Sequence, residues 1–154
     1  RETSAEVGAL IGNGSKDRVY NLKSYASNLG IAFQILDDLL DISASEEELG
    51  KKIGGDLLEG KKTFLILKAL ELVKDSNDLK KIKSVIDNNG LKPGDENEIL
   101  EIKNIYERSG VIEFAKNEIE KYTSRADKNL NSIPDGDLKE RLKWFSSMLM
   151  SRNF

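Results

Sequence analysis

The stretch Gly30-Ile31-Ala32-Phe33-Gln34-Ile35-Leu36-Asp37-Asp38-Leu39-Leu40-Asp41-Ile42 sets three carboxylates into a run that is otherwise apolar or small. Around it, Val19, Leu22, Tyr25, Ala26, Leu29, Phe33, Leu36 and Leu40 recur at steps of three and four, the stripe of one amphipathic helix over residues 16–43. On that helix Asp37 and Asp41, four residues apart, share a face, and Asp38 lies about 100° round from Asp37. Like charges at this spacing repel, and withdrawing them from water is costly unless something neutralises them. They also stand near the C-terminal, negative pole of the helix, where anions are disfavoured. Two readings fit: a solvated acidic patch, or a seat for a divalent cation that offsets the repulsion.

Working outward, helical periodicity continues and nothing alternates with a two-residue period, so the chain reads as all-α. Residues 3–12 read as a short helix of small residues ending near Gly12-Asn13-Gly14. Residues 44–60, with Glu46-Glu47-Glu48 and Gly50, Gly54, Gly55 and Gly60, read as a long loop holding one helical turn. Helix resumes from Thr63 to about Lys74. Ser76 is placed to cap a helix that stops at Asn88-Asn89-Gly90, a left-handed ending. Pro93-Gly94 turns the chain, and Asp95 with Glu98 suggests a capping box for residues 96–108. Gly110 precedes a helix over 111–130 with Ala115, Ile119, Tyr122, Ala126 and Leu130 inward. Pro134 precedes a last helix at 137–151 with Leu138, Leu142, Phe145 and Leu149 inward. No repeat or linker divides residues 1–154.

The segment after the aspartates is the second chemical signal. Gly50-Lys51-Lys52-Ile53-Gly54-Gly55-Asp56-Leu57 is followed by Gly60-Lys61-Lys62-Thr63 directly before an apolar helix. Glycines permit close backbone approach and positive φ. Lysines at a helix N-terminus, with its unpaired N–H groups and favourable dipole, suit an anion. Exposed loop lysines are the plain alternative. Beside an aspartate-bound cation the same parts suit a diphosphate. The spacing is not that of a P-loop following a strand.

Composition narrows the chemistry further. The 154 residues contain neither Cys nor His, which excludes disulfides, thiol nucleophiles, structural zinc and imidazole bases. A metal held here is hard and oxygen-bound, which points to magnesium, with manganese as the other choice. A net charge of −3 and a pI of about 5.2 argue against a nucleic-acid surface. No apolar run approaches a membrane span, and Arg1-Glu2-Thr3-Ser4 lacks the apolar core of a signal peptide, so a cytoplasmic protein is expected.

The two segments together, Gly30-x-x-Phe33-Gln34-x-x-Asp37-Asp38-x-x-Asp41 and Gly50-Lys51-x-x-Gly54-x-Asp56-Leu57-x-x-Gly60-Lys61-x-Thr63, resemble the second aspartate-rich motif and following loop of the trans-isoprenyl diphosphate synthases. The resemblance implies the α-helical isoprenoid synthase fold with a central cavity. It implies a reaction in which an allylic diphosphate ionises with magnesium, isopentenyl diphosphate attacks the allylic cation, and a proton is lost. By the same resemblance Asp37 binds metal directly, and Asp38 and Asp41 complete or hydrate its sphere. Gln34, Lys51 and Lys61 contact the allylic diphosphate, the two lysines with a catalytic role, and Phe33 faces the substrates. The full-length protein is then expected to be a homodimer.

The family also carries a first Asp-Asp-x-x-Asp motif, an upstream Lys-Thr pair and phosphate-binding arginines, and none of these is in the chain. Residues 1–13 resemble the segment after that Lys-Thr pair, and Arg152 the basic residue near the family's C-terminus. The chain, which begins without Met, is therefore expected to be the C-terminal portion of one synthase domain, inactive alone. Product length, which depends on residues near the first motif, is not legible. The rival expectation is a non-catalytic subunit of a heteromeric prenyl synthase; a terpene cyclase shares the ionisation chemistry but fits the paired motifs less well.

Overall fold

A computed structural model of the chain describes residues 2–43, 53–92 and 94–151. The described residues form eight helices and no strand: α1 (Glu2–Ile11), α2 (Lys16–Ser43), α3 (Gly55–Leu58), α4 (Phe64–Leu72), α5 (Ser76–Asp87), α6 (Glu96–Arg108), α7 (Val111–Asn131) and α8 (Asp137–Met150). The all-α expectation holds, including the single helical turn between the aspartates and the Gly-Lys pair. Internal contacts group the chain into two units, Arg1–Gln34 with Asn117–Asn153, and Ile35–Lys116.

In the first unit the N-terminal part of α2 supplies Leu22, Tyr25 and Leu29 to a core shared with Ala9 of α1 and with Ala126, Leu130 and Ile133. The apolar stripe of α2 is therefore a packing stripe, with Val19 and Ala26 at its edge. Polar groups on this face find partners: the Tyr25 hydroxyl donates to the Leu142 carbonyl at 2.8 Å, and the Asn28 amide donates to Asn129 Oδ1 at 3.1 Å. A cavity of about 760 Å³ lies beside this core, lined by small residues of α1 (Ser4, Ala5, Gly8), by Phe33 of α2, and by Leu138 and Phe145 of α8. Leu138 and Phe145 are consequently exposed rather than inward, a correction to the periodicity reading. The buried positions of α8 are Lys139 and Ser146, which bond to Asp135 and the Leu142 carbonyl.

In the second unit the C-terminal part of α2 is buried over most of its apolar residues. Ile35, Leu36, Leu39, Leu40 and Ile42 are all buried, wider than one stripe. The same unit also buries Leu57 of α3, Leu65, Ile66 and Ala69 of α4, Ile82 and Val85 of α5, and Ile99, Ile102, Ile105 and Tyr106 of α6. Helices α5 and α6 are also tied at the surface by a two-pronged Arg108–Asp78 ion pair at 2.6 and 3.0 Å.

Three helix ends differ from expectation. Asp75, not Ser76, caps α5, accepting from the backbone of Asn77 and Asp78 at 2.9 Å; both residues are good caps, and the carboxylate takes the position. The capping box at Asp95 does not form, because its carboxylate turns back to the Lys92 amide. Helix α4 ends at Leu72, with Val73 extended. The left-handed ending of α5 is seen at Asn89, φ 53°.

Candidate functional site

The three aspartates meet three different environments, although Asp37 and Asp41 are four residues apart on one helix. Asp37 is exposed. Asp41 is only 5% exposed, because the turn at 54–56 folds over it. Its Oδ2 accepts from the Asp56 amide at 3.0 Å, and its backbone carbonyl accepts from the Gly54 amide at 2.7 Å. Asp38, half-buried between them, accepts from the Phe64 amide through Oδ2 at 2.7 Å. That amide opens α4, so Asp38 lies at the positive end of another helix dipole. This answers how an acidic cluster is tolerated at the negative end of α2: α4 and the 54–56 turn bring backbone N–H groups to it.

The neutralisation is incomplete. Burial pushes the Asp38 carboxyl up to about 6; the Phe64 hydrogen bond opposes that, and the charges of Asp56, Asp37 and Asp41 add to it. A cation beside Asp38 would relieve both the repulsion and the desolvation. Among the described residues no three carboxylates converge as a cage for a metal ion. Magnesium does not need one, since it is commonly held by one or two carboxylates with water and phosphate oxygens completing an octahedron. Exposed Asp37 with half-buried Asp38 fits that partial donor set, and the all-oxygen chemistry fits a hard ion.

The Gly-Lys segment is held against the same end of α2. Gly54, at φ 74°, begins α3, and a β-carbon there would stand 2.7 Å from Ile99 Cγ2. Gly60, at φ 63°, lies on the turn that ends α5: a β-carbon would stand 2.4 Å from the Asn89 carbonyl carbon. The Leu91 amide donates to the Leu57 carbonyl at 3.0 Å across this contact. Lys61 is thereby presented on a fixed turn. Its ammonium bonds Asp56 at 2.7 Å and Glu59 at 2.9 Å, and those two bonds, Asp56's first, raise its pKa. Its side chain remains 52% exposed. Lys61 and Lys62 precede α4 rather than forming its first turn. Thr63 is the cap, accepting from the Ile66 amide at 3.4 Å.

Of the sequence-derived candidates, the second unit thus holds Asp37, Asp38, Asp41 and Lys61 around one junction. Phe33 lines the cavity of the first unit, and Gln34 is exposed on the same helix. Lys51 and Arg152 lie outside the described residues. Sequence reasoning gave no role to Asp56 beyond its motif position or to Tyr106. Asp56 joins the two motifs, with its amide on Asp41 and its carboxylate on Lys61, and its fixed place in the motif was the available signal.

The chain resembles known proteins over most of its length. A family model described as polyprenyl synthetase matches residues 2–104. The geranylgeranyl diphosphate synthase of Sulfolobus acidocaldarius is 40% identical over 130 residues, 84% of this chain and 38% of that protein. The heptaprenyl diphosphate synthase component 2 of Bacillus subtilis is 34% identical over 152 residues, 98% of this chain and 41% of that protein. Among solved structures, geranylgeranyl pyrophosphate synthetase from Pyrococcus horikoshii superposes with a TM-score of 0.86 at 30% identity, covering 99% of this chain and 45% of that one. The chain spans less than half the length of these relatives. With the family model covering both the aspartate helix and the Gly-Lys turn, and with the fold shared over nearly its whole length, the chain belongs to the polyprenyl synthetase family.

Proposed function

We propose that the chain is the C-terminal portion of a trans-prenyltransferase domain that condenses isopentenyl diphosphate with an allylic diphosphate. The observation that carries this is the junction of Asp38 with Phe64 and of Asp41 with Asp56, which brings carboxylates and the Lys61 turn together within one unit. In the reaction the allylic carbon–oxygen bond breaks heterolytically and its electron pair leaves with diphosphate. The alkene of isopentenyl diphosphate then attacks the allylic cation, and proton loss restores a double bond. Magnesium, when bound, supplies positive charge to the departing diphosphate.

The residues of the chain prepare for that charge. Asp37 and Asp38 offer the oxygens that would hold the metal, while Asp41 holds the 54–56 turn and would complete or hydrate the sphere. Lys61 and Lys51 would contact the allylic diphosphate, with Gln34 as a neutral donor; cations fixed in advance stabilise the leaving group without reorganisation. Phe33 supplies apolar surface to the substrates. The whole protein acts as a cytoplasmic homodimer. Incorporation of labelled isopentenyl diphosphate into an acid-labile allylic product tests the activity. The whole protein is expected to make product and residues 1–154 alone none, since a site clamped from one side lacks the preorganised cage. Product from residues 1–154 alone would overturn the assignment of this chain as one part of the site.

A second reading is a non-catalytic subunit of a heteromeric synthase, favoured by the similarity to a relative whose name marks it as one component. It predicts no turnover by the whole protein until a second polypeptide is added.

A further inference from the structure

The Lys61 ammonium, which the proposed reaction brings to the allylic diphosphate, meets two carboxylates: Asp56 Oδ1 at 2.7 Å and Glu59 Oε2 at 2.9 Å. A lysine offers three N–H bonds, so most of its donor capacity here goes to anions. One positive charge beside two negative ones has no net attraction for an incoming diphosphate. For Lys61 to serve that ligand, one of the two carboxylates has to give way.

The two are held very differently. The Asp56 side chain is 22% exposed and its backbone is bonded on both sides: the amide donates to Asp41 Oδ2 at 3.0 Å, and the carbonyl accepts from the Lys61 amide at 3.0 Å. The Glu59 side chain is 65% exposed, and among the described residues Lys61 is the one partner of its carboxylate. Residues two apart do not face each other on a continuous helix; Glu59 reaches Lys61 across the left-handed turn at Gly60, φ 63°. An ion pair between two long, solvated side chains is weak, since water screens it and both chains lose freedom in making it. The Asp56 bond also raises the lysine's pKa more than the Glu59 bond does, which agrees with that order. Of the two contacts, the one with Glu59 is the one a competing anion can break.

We propose that Glu59 is the counter-ion that a diphosphate displaces from Lys61, while Asp56 stays bonded as the positioning residue that keeps the ammonium in place during the exchange. A diphosphate oxygen takes over the donor that Glu59 held, and the Glu59 carboxylate turns out to water. A lone carboxylate gains little by replacing another, whereas a diphosphate brings more charge, so the exchange favours the more highly charged anion. The inference rests on the assignment of Lys61 to the diphosphate.

The test is calorimetric titration of inorganic diphosphate, at saturating magnesium, into the whole protein and its Glu59→Gln, Lys61→Met and doubly substituted variants. Lys61→Met is expected to weaken binding. Glu59→Gln is expected to tighten it roughly twofold to fivefold, the scale of one exposed ion pair, and to bring no gain when Lys61 is already Met. Unchanged or weaker binding in Glu59→Gln, with binding weakened in Lys61→Met, overturns the role of Glu59 alone. A gain of the same size in the Lys61→Met background makes Glu59 a source of general repulsion rather than the counter-ion of Lys61, and also overturns the inference. Unchanged binding in Lys61→Met overturns the assignment of Lys61 to the diphosphate and this inference with it.

Discussion

Gly60→Ala isolates how the Gly-Lys turn is held. Gly60 stands at φ 63°, and its missing β-carbon would meet three backbone atoms of Asn89 and Gly90 at 2.4–2.8 Å. Backbone atoms cannot swing aside as a side chain can, so the two turns must separate. The left-handed conformation costs an alanine about 1–2 kcal/mol. Separation also takes away the Leu91–Leu57 hydrogen bond, about 1 kcal/mol. The sum, about 2–3 kcal/mol, corresponds to a roughly 30- to 160-fold loss of protection at the Leu91 amide, by the factor of ten for each 1.36 kcal/mol. Native-state amide exchange reads this residue by residue, and urea denaturation gives the global loss. The Phe64 amide, which bonds Asp38 rather than Leu91, is expected to change much less. Unchanged protection at Leu91 in Gly60→Ala would refute the argument that close backbone approach fixes the turn.

Three other perturbations follow from named contacts. Asp75→Ala removes the cap of α5. Two backbone hydrogen bonds, from Asp78 and Asn77, lower the Asp75 pKa, so its stabilisation is present above the ordinary carboxylate range and lost as pH falls through the lowered folded value. The gap in melting temperature between wild type and Asp75→Ala is thus expected to be full at neutral pH and to close below pH 4, the unfolded range; a gap independent of pH would contradict the cap. Lys61→Ala in the whole protein is expected to raise KM for the allylic diphosphate more than for isopentenyl diphosphate, while Lys62→Ala is mild; equal effects of the two would misplace the register of the turn. Leu39→Ala, at a side chain with no exposure in the second unit, is expected to cost about 2–5 kcal/mol in chemical denaturation, and a loss below 1 kcal/mol would show that the site collapses around the change.

Much of the fold was legible because it is written in local chemistry. The α2 limits, residues 16–43, follow from a stripe that stays apolar up to the acidic run Glu46-Glu47-Glu48, and Asn89 ends α5 because asparagine tolerates the left-handed region. What was not legible depends on distant partners. Asp75 and Ser76 are equivalent caps by type, and only the folded helix shows which one bonds the first amides. Leu138 and Phe145 have core periodicity but face a cavity. The aspartates could be recognised as a cluster, yet their division into exposed, half-buried and buried depends on amides 15 and 26 residues further on, at Asp56 and Phe64. Tyr106 carries no local mark in the sequence, since nothing there distinguishes a hydroxyl that lacks a partner.

The most direct measurement of the proposed metal-assisted ionisation is the steady-state turnover of the Asp37→Ala variant of the whole protein, with circular dichroism and melting temperature recorded beside it. Asp37 is exposed, so folding is expected to be indifferent to the change, within about 0.5 kcal/mol. Losing a group that organises charge at the leaving diphosphate is expected to lower kcat by roughly a hundredfold or more. A folded Asp37→Ala variant that keeps near-normal turnover at saturating magnesium would contradict the assignment of this helix to the metal–diphosphate site.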